Sequence, residues 1–320
     1  MSDILTALPA QFGLDRTRAV KQRGYFLCET PSGTAKIAKT YEPHRAIHLR
    51  HGLLELLEGA GFSHTDKIML STRDMPFVQF GRETYVMSKH VAGRDMDLNC
   101  PQDMVLALES LARFHIAARG FDSLGIPVAP RLTEVFDKNH AFLTKMAKQM
   151  GKTSRLSDFD IMFIKNVPQC IEMARESAQL LVQTDYTALY AAAAEQCHIC
   201  HNALKEENLP IYQGECYITN FTEAAVDAQI TDLASFLRRY ARRSNREIPL
   251  DKLMEIYDRI CPLPNSAPEI IHAVLVHPWQ FVKIVRQYSN KKRGWTPIAI
   301  MSRMQALLDE QDKYDAYIHA

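Results

Sequence analysis

Two stretches of this sequence hold residue types that could do chemistry. The first is Cys197-His-Ile-Cys-His201, a CxxCH pattern of the kind that attaches c-type haem. Its thiols and imidazoles could also hold zinc, but a structural zinc site needs a second ligand pair, and the sequence offers none. Covalent haem goes with export. Here the N-terminus carries Asp3 and no Lys or Arg before Arg16, so the positive start of a secretory signal is missing. The expectation is no metal and no haem, with two small apolar thiols, free and largely buried, lining a strand. The second stretch is His201-Asn-Ala-Leu-Lys-Glu-Glu-Asn208, then Gly214-Glu-Cys-Tyr-Ile-Thr-Asn-Phe-Thr222, then Asp232-Leu-Ala-Ser-Phe-Leu237. By residue type it reads as a loop, a strand and an amphipathic helix, without a catalytic trio. Glu206 and Glu207 read as solvated loop acids beside Lys205, and Asp232 as a structural residue capping its helix.

Patterning supplies the elements that must position these groups. Gly24–Thr30 and Thr34–Tyr41 read as hairpin strands around the turn signal Pro31-Ser-Gly33. His44 to Gly59 places Leu49, Leu53, Leu56 and Leu57 at helical spacing. Pro76–Phe80 and Glu83–Met87 form another hairpin about Gly81-Arg82. After Gly93 the character turns helical: Pro101 opens a helix that ends at Gly120, and 131–151 and 157–195 continue as amphipathic helices. A β-like island at about 197–221 follows, and the chain from Thr231 onward is helical between prolines. The expected division is a β-rich N-terminal lobe with one helix over 1–90, and a larger helical lobe with the β insert over 91–320. That is an α+β fold of two lobes.

Composition narrows the classes of partner. The 320 residues carry 38 Lys+Arg against 37 Asp+Glu, so no global positive field exists to hold nucleic acid or an anionic membrane. The short basic runs Arg238-Arg239 with Arg242-Arg243, and Lys291-Lys292-Arg293, read as solvated helix faces. The longest apolar run, Leu189 to Ala194, is far shorter than the ~20 residues a membrane span needs. Seven cysteines at scattered spacing fit reduced thiols and an intracellular protein better than a disulfide scaffold.

The second stretch resembles the catalytic region of the aminoglycoside- and choline-kinase-like fold, whose loop has the form HGDxxxxN, followed by a strand ending in (I/V)DF and an Asp-Leu-Ala helix start. On that pattern His201 and Asn208 match. The resemblance extends upstream. Gly24-Tyr-Phe-Leu-Cys-Glu-Thr30 and Ala35-Lys-Ile-Ala-Lys39 look like the second and third strands of a kinase small lobe, with Lys39 at the phosphate-contacting lysine position. Met87-Ser-Lys-His-Val-Ala-Gly93 looks like the hinge, and Leu111-Ala-Arg-Phe-His115 like the end of the first large-lobe helix. The ordered set, over about residues 12–245, is most similar to the CotS-type spore coat proteins, a kinase-like family of spore-forming bacteria.

That resemblance implies a two-lobed protein-kinase-like fold of the aminoglycoside phosphotransferase type. It also implies synthesis in the mother-cell cytoplasm, a final place in the spore coat, and other coat proteins as partners. The departures are specific. The base position falls on Ala203 and the second metal-ligand position on Asn220, and a glycine-rich phosphate loop is missing. A methyl group cannot receive a proton, and a neutral carboxamide grips a hard cation poorly. Lys39, His201, Asn208 and Asn220 then mark a vestigial nucleotide and metal site, in which Lys39 could pair with Glu55 or Glu58. The expectation is a pseudokinase with no catalytic residue and no cofactor, holding ATP weakly at most and without metal.

Overall fold

The computed structural model describes residues 4–14, 17, 19–31, 33–121, 125–151, 156–244, 248–290 and 297–318. Ser32 of the hairpin turn and the basic run Lys291–Arg293 lie outside these residues. The chain folds into two compact units, one made of Met1–Val128, Ala193–Gln229 and Lys252–Pro262, the other of Ala129–Ala192, Ile230–Asp251 and Leu263–Ala320. Element type changes from strand to helix near residue 93. Packing, by contrast, gathers 193–229 and 252–262 with the first 128 residues.

The first unit is built on an antiparallel sheet of β1 (Val20–Lys21), β2 (Tyr25–Thr30), β3 (Gly33–Thr40), β4 (Ile68–Met69), β5 (Val78–Phe80) and β6 (Glu83–Lys89). Its order is β1-β2-β3-β6-β4, with β5 also on β6. In β3 Ala35 and Ile37 point to one face, where they meet Tyr85 and Met87 of β6. That face is covered by α1 (Ile4–Ala10) through Leu8, with Phe12 just beyond it. The small lobe therefore has a second helix beside α2 (His44–Gly59), where patterning gave one. A seven-residue helix containing Pro9 is too short to show helical periodicity, and it is held by its contact with the sheet.

After the sheet come β7 (Arg94–Asp95) and α3 (Pro101–Ala117). The β island resolves into β8 (Ile199–Cys200), β9 (Pro210–Tyr212), β10 (Glu215–Cys216) and β11 (Ala225–Val226). These form two small sheets, β10-β9-β7 and β11-β8. Gly93 enters β7 so close to β9 that a Cβ there would lie 2.5 Å from the carbonyl oxygen of Ile211. Arg94 then grips Asp103 in the first turn of α3 with two bonds of 2.5 and 2.8 Å, and the backbone N–H of Asp97 donates to the same carboxylate. Together these tie the segment after β6 to α3.

The second unit is all helix: α4 (Leu132–Met150), α5 (Asp158–Val182), α6 (Tyr186–Glu195), α7 (Ile230–Arg243), α9 (Ala267–Val276), α10 (Trp279–Ser289) and α11 (Pro297–Ile318). Between α7 and α9 the chain forms α8 (Leu250–Asp258). Ser157 and Asp160 make a reciprocal capping box that starts α5. The helix expected over 157–195 is split by Thr184, whose hydroxyl donates to Leu181 and accepts from the N–H of Tyr186. Leu143, Phe163, Val285 and Met304 from four helices form the centre of this unit's core. Among the described residues no helix is long and apolar enough to cross a membrane.

Candidate functional site

The loop after β8 is shaped by side chains bonding to backbone. His201 is buried and uses both ring nitrogens: Nδ1 accepts from the N–H of Ala203 at 3.2 Å, and Nε2 donates to the carbonyl of Thr219 at 2.9 Å. Asn208 is also buried, and its Nδ2 donates to the carbonyl of Ala203 at 2.8 Å. Thr219 returns its N–H to the carbonyl of Asn208. Two left-handed residues make the bends, Asn202 (φ 60°) and Asn220 (φ 65°). Asparagine visits this region more readily than other residues with a Cβ. The polar groups that would otherwise keep this segment solvated are thus absorbed by one another.

The bonds bring Ala203, Asn208 and Asn220 together as the sequence pattern requires. Asn220 Nδ2 donates to Asn208 Oδ1 at 3.3 Å, while Asn220 Oδ1 accepts from the Thr222 hydroxyl at 3.1 Å. Each carboxamide oxygen that could face a cation is therefore already an acceptor within the loop. The backbone N–H of Asn220 donates to both oxygens of Asp66, at 3.2 Å each. Asp66 retains some surface access, yet loss of hydration pushes its carboxyl up to about 6, with Arg50 and Lys36 opposing that rise. Arg50 is held by Glu42 at 2.7 Å, and its Nε is buried with no hydrogen-bond partner.

Two expectations about charged residues need correcting. Lys39 follows Ala35 and Ile37 on the face covered by α1, where it pairs with Glu83 and lies 4.8 Å over the Tyr41 ring. Glu55 and Glu58 are engaged by Lys67 instead. Because strand side chains alternate, the residue three positions earlier has the opposite orientation. Lys36 is that residue: it lies 4.9 Å over the Tyr25 ring, and its charge is felt by Asp66 and His90. Asp232 is the third residue of α7, inside its first turn and 1% exposed, so it does not stand at the capping position ahead of the helix.

The CHICH segment is absorbed by the same frame. Cys200 is buried in β8 with its thiol directed to the carbonyl of Asp227, whereas Cys197 is half-buried in a left-handed turn (φ 48°). Burial lowers the pKa of His198. Glu207 is exposed and lies 3.7 Å from Lys205. Sequence reasoning missed Lys36 and Asp66. For Lys36 the signal was present in the two-residue alternation of β3; Asp66 lies in a loop with no motif around it.

The family model described as "Spore coat putative kinase YutH" matches residues 6–320. The chain belongs to this spore coat kinase family. Among solved structures, an aminoglycoside phosphotransferase from Alicyclobacillus acidocaldarius is 18% identical with a TM-score of 0.85, over 100% of this chain and 95% of that one. AMP-bound spectinomycin phosphotransferase APH(9)-Ia is 13% identical with a TM-score of 0.71, over 99% and 97% of the two chains. Choline kinase from Cryptosporidium parvum is 11% identical with a TM-score of 0.54, over 98% and 96%. At these identities the likeness establishes the fold, the α+β two-lobed phosphotransferase type. A search of curated proteins finds no match.

In this member of the YutH family the loop positions Asn208 and Asn220 carry no anionic oxygen for a magnesium ion. Mg²⁺ prefers anionic oxygens in near-octahedral geometry. Here the two loop positions offer neutral carboxamides bonded to each other and to Thr222, and the nearby Asp66, its carboxyl raised to about 6, is engaged by the backbone N–H of Asn220.

Proposed function

We propose that this chain is a degenerate phosphotransferase fold that serves the spore coat as an assembly or scaffold protein, with no phosphoryl transfer of its own. The observation that carries the reading is the loop centre. Ala203 presents a methyl where a hydroxyl acceptor's proton would have to go, and the Asn208–Asn220 pair satisfies itself where charge neutralisation is needed. Phosphoryl transfer depends on positioning and electrostatic stabilisation, so losing both the orienting carboxylate and the ionic ligand removes its two principal contributions. Family membership supports the coat as destination and other coat proteins as partners. No cofactor is required by this reading.

A regulatory, nucleotide-binding role is the second reading. It is favoured by Lys36, Tyr25 and His90, which keep a cation and two rings together at one end of the sheet. Such a site would hold ATP without metal and weakly, because one partly exposed ion pair contributes only about 1 kcal/mol.

The experiment is a melting and turnover series with ATP, with and without Mg²⁺, on the wild-type chain and on Lys36→Ala and Lys39→Ala. The expected result is no turnover above background and a shift of about 1 °C at ATP concentrations near its Kd, indifferent to magnesium. Only Lys36→Ala should reduce it. A shift of several degrees that requires magnesium, or turnover abolished by Lys36→Ala, would make the chain an enzyme with Asp66, Glu206 or Glu207 as its carboxylate.

A further inference from the structure

The helical unit contains a cavity that the function proposed above does not use. A small cavity of about 30 Å³, opening toward solvent, lies among residues of α5, α7, α10 and α11, with Asn166, Gln169, Gln280 and Gln311 on its wall beside Arg242. Among the described lining residues there is no Asp or Glu. Arg242 lies 4.8 Å over the ring of Tyr314, which also lines the cavity. One turn earlier on α7, Arg238 lies 5.6 Å over the ring of Trp279, and its Nε is buried without a hydrogen-bond partner. Neither guanidinium has a carboxylate partner among the described residues. The sequence pattern read both as solvated, yet each is half-buried.

The rest of the wall cannot supply the missing charge. His277 accepts from Asn139 Nδ2 at Nε2 and, in the tautomer this leaves, donates from Nδ1 to the Ser177 hydroxyl, both at 2.8 Å. Ser177 in turn donates to the carbonyl of Ala174, and Arg286 donates to Asn139 Oδ1. This chain of bonds ends in the Arg286 cation and contains no anion. Burial, together with the charge of Arg238, pushes the His277 pKa down to about 3. Burial and the neighbouring Arg242 and Arg239 also lower that of Arg238. A guanidinium removed from water is ordinarily paired with an anion, and five donors on each arginine need acceptors.

We propose that this cavity binds the phosphate group of a small ligand, with Arg242 donating to it directly, Arg238 adding its charge from the next turn, and the wall amides satisfying the remaining oxygens. Phosphate suits the arrangement because a planar guanidinium can meet two of its oxygens at once. The proposal is independent of the loop that carries the phosphotransferase resemblance.

The test uses the full-length protein and inorganic phosphate at constant ionic strength, with citrate as the carboxylate arm and chloride as the control. Calorimetric titration should show one saturable phosphate site and a rise in melting temperature. Arg242→Gln should weaken binding about tenfold or more, the loss of one charge-assisted contact. Should Arg242→Gln not fold, Gln169→Leu and the broadening of the phosphate ³¹P line by wild-type protein give the same reading. Equal phosphate affinity in a folded Arg242→Gln would place the anion elsewhere and overturn the assignment. So would tighter binding of citrate than of phosphate, or no saturable binding up to about 20 mM, a free energy below that expected of even a weak site.

Discussion

Replacing Asn220 by aspartate probes the centre of the loop most directly. The substitution keeps shape and the tolerance for a left-handed backbone but exchanges an N–H donor for a second anionic oxygen. In the wild-type chain Asn220 Nδ2 donates to Asn208 Oδ1 at 3.3 Å, and Asn208 cannot turn its own amide around because its Nδ2 is committed to the carbonyl of Ala203. The introduced carboxylate would therefore face an acceptor with an acceptor. The lost bond accounts for about 1 kcal/mol, and the unsatisfied oxygen for about 1–3 kcal/mol more. The new charge also stands beside Asp66, which accepts the backbone N–H of the same residue. Unit charges a few ångströms apart repel by a few kcal/mol at an effective dielectric of about 20, unless one takes a proton. Asp66, with a carboxyl already near 6, is the one that would. Asn220→Asp should therefore cost about 2–4 kcal/mol from the lost bond and the unsatisfied oxygen, with the repulsion added to it at pH 8 and relieved at pH 5 as Asp66 takes its proton, read by urea denaturation. Added Mg²⁺ should recover part of the loss in the variant and do nothing for the wild type. A variant as stable as wild type at pH 8 without magnesium would refute the account of the paired carboxamides.

Three further outcomes follow from the geometry. Because the folded-state pKa of Asp66 is raised from 3.8 to about 6, its contribution favours folding at low pH and turns into a penalty as pH rises through that window. Asp66→Asn should therefore gain about 1–2 kcal/mol at pH 8 and nothing below pH 4, measured as a stability–pH profile. Asp103 is the opposite case. The Arg94 guanidinium holds its carboxyl below the ordinary value, so its stabilisation is present above pH 4 and is lost as pH falls through the folded-state value. Asp103→Asn should lower the melting temperature by several degrees at pH 7, with the gap closing in acid. Gly93→Ala must push a Cβ into the Ile211 carbonyl at 2.5 Å, so a loss of about 2 kcal/mol or more in urea is expected, with Gly93→Ser no better.

The sequence made the loop legible because its groups have fixed spacing. His201, Ala203 and Asn208 occur within one short segment, and Asn220 precedes Phe221 as the pattern demands. Helices with long amphipathic runs were equally plain, as in α4 and α5. What failed was orientation. Lys36 and Lys39 sit three residues apart in β3, so alternation puts them on opposite faces, and the buried Ala35 and Ile37 mark the covered face as that of Lys39, a signal the motif match overrode. The guanidinium groups of Arg238 and Arg242 were hidden for a different reason: a run of four arginines near a helix end reads as a wet surface until Trp279 and Tyr314 arrive from distant parts of the chain. Strands of two residues, such as β8 and β11, have no period to detect and owe their existence to their partners.

The bonds that shape the loop do not depend on the side chain at position 203. His201 and Asn208 bond to the backbone of residues 203 and 219, and those bonds are indifferent to which side chain residue 203 carries. On the reading proposed above, the chain keeps this frame for folding alone, and selection on stability preserves an enzyme's architecture without its activity. Divergence in either direction then needs only point changes at Ala203 and Asn220, made on a backbone that is already in place. On that reading one fold supplies both catalysts and coat material, with the difference written in a pair of side chains rather than in the course of the chain.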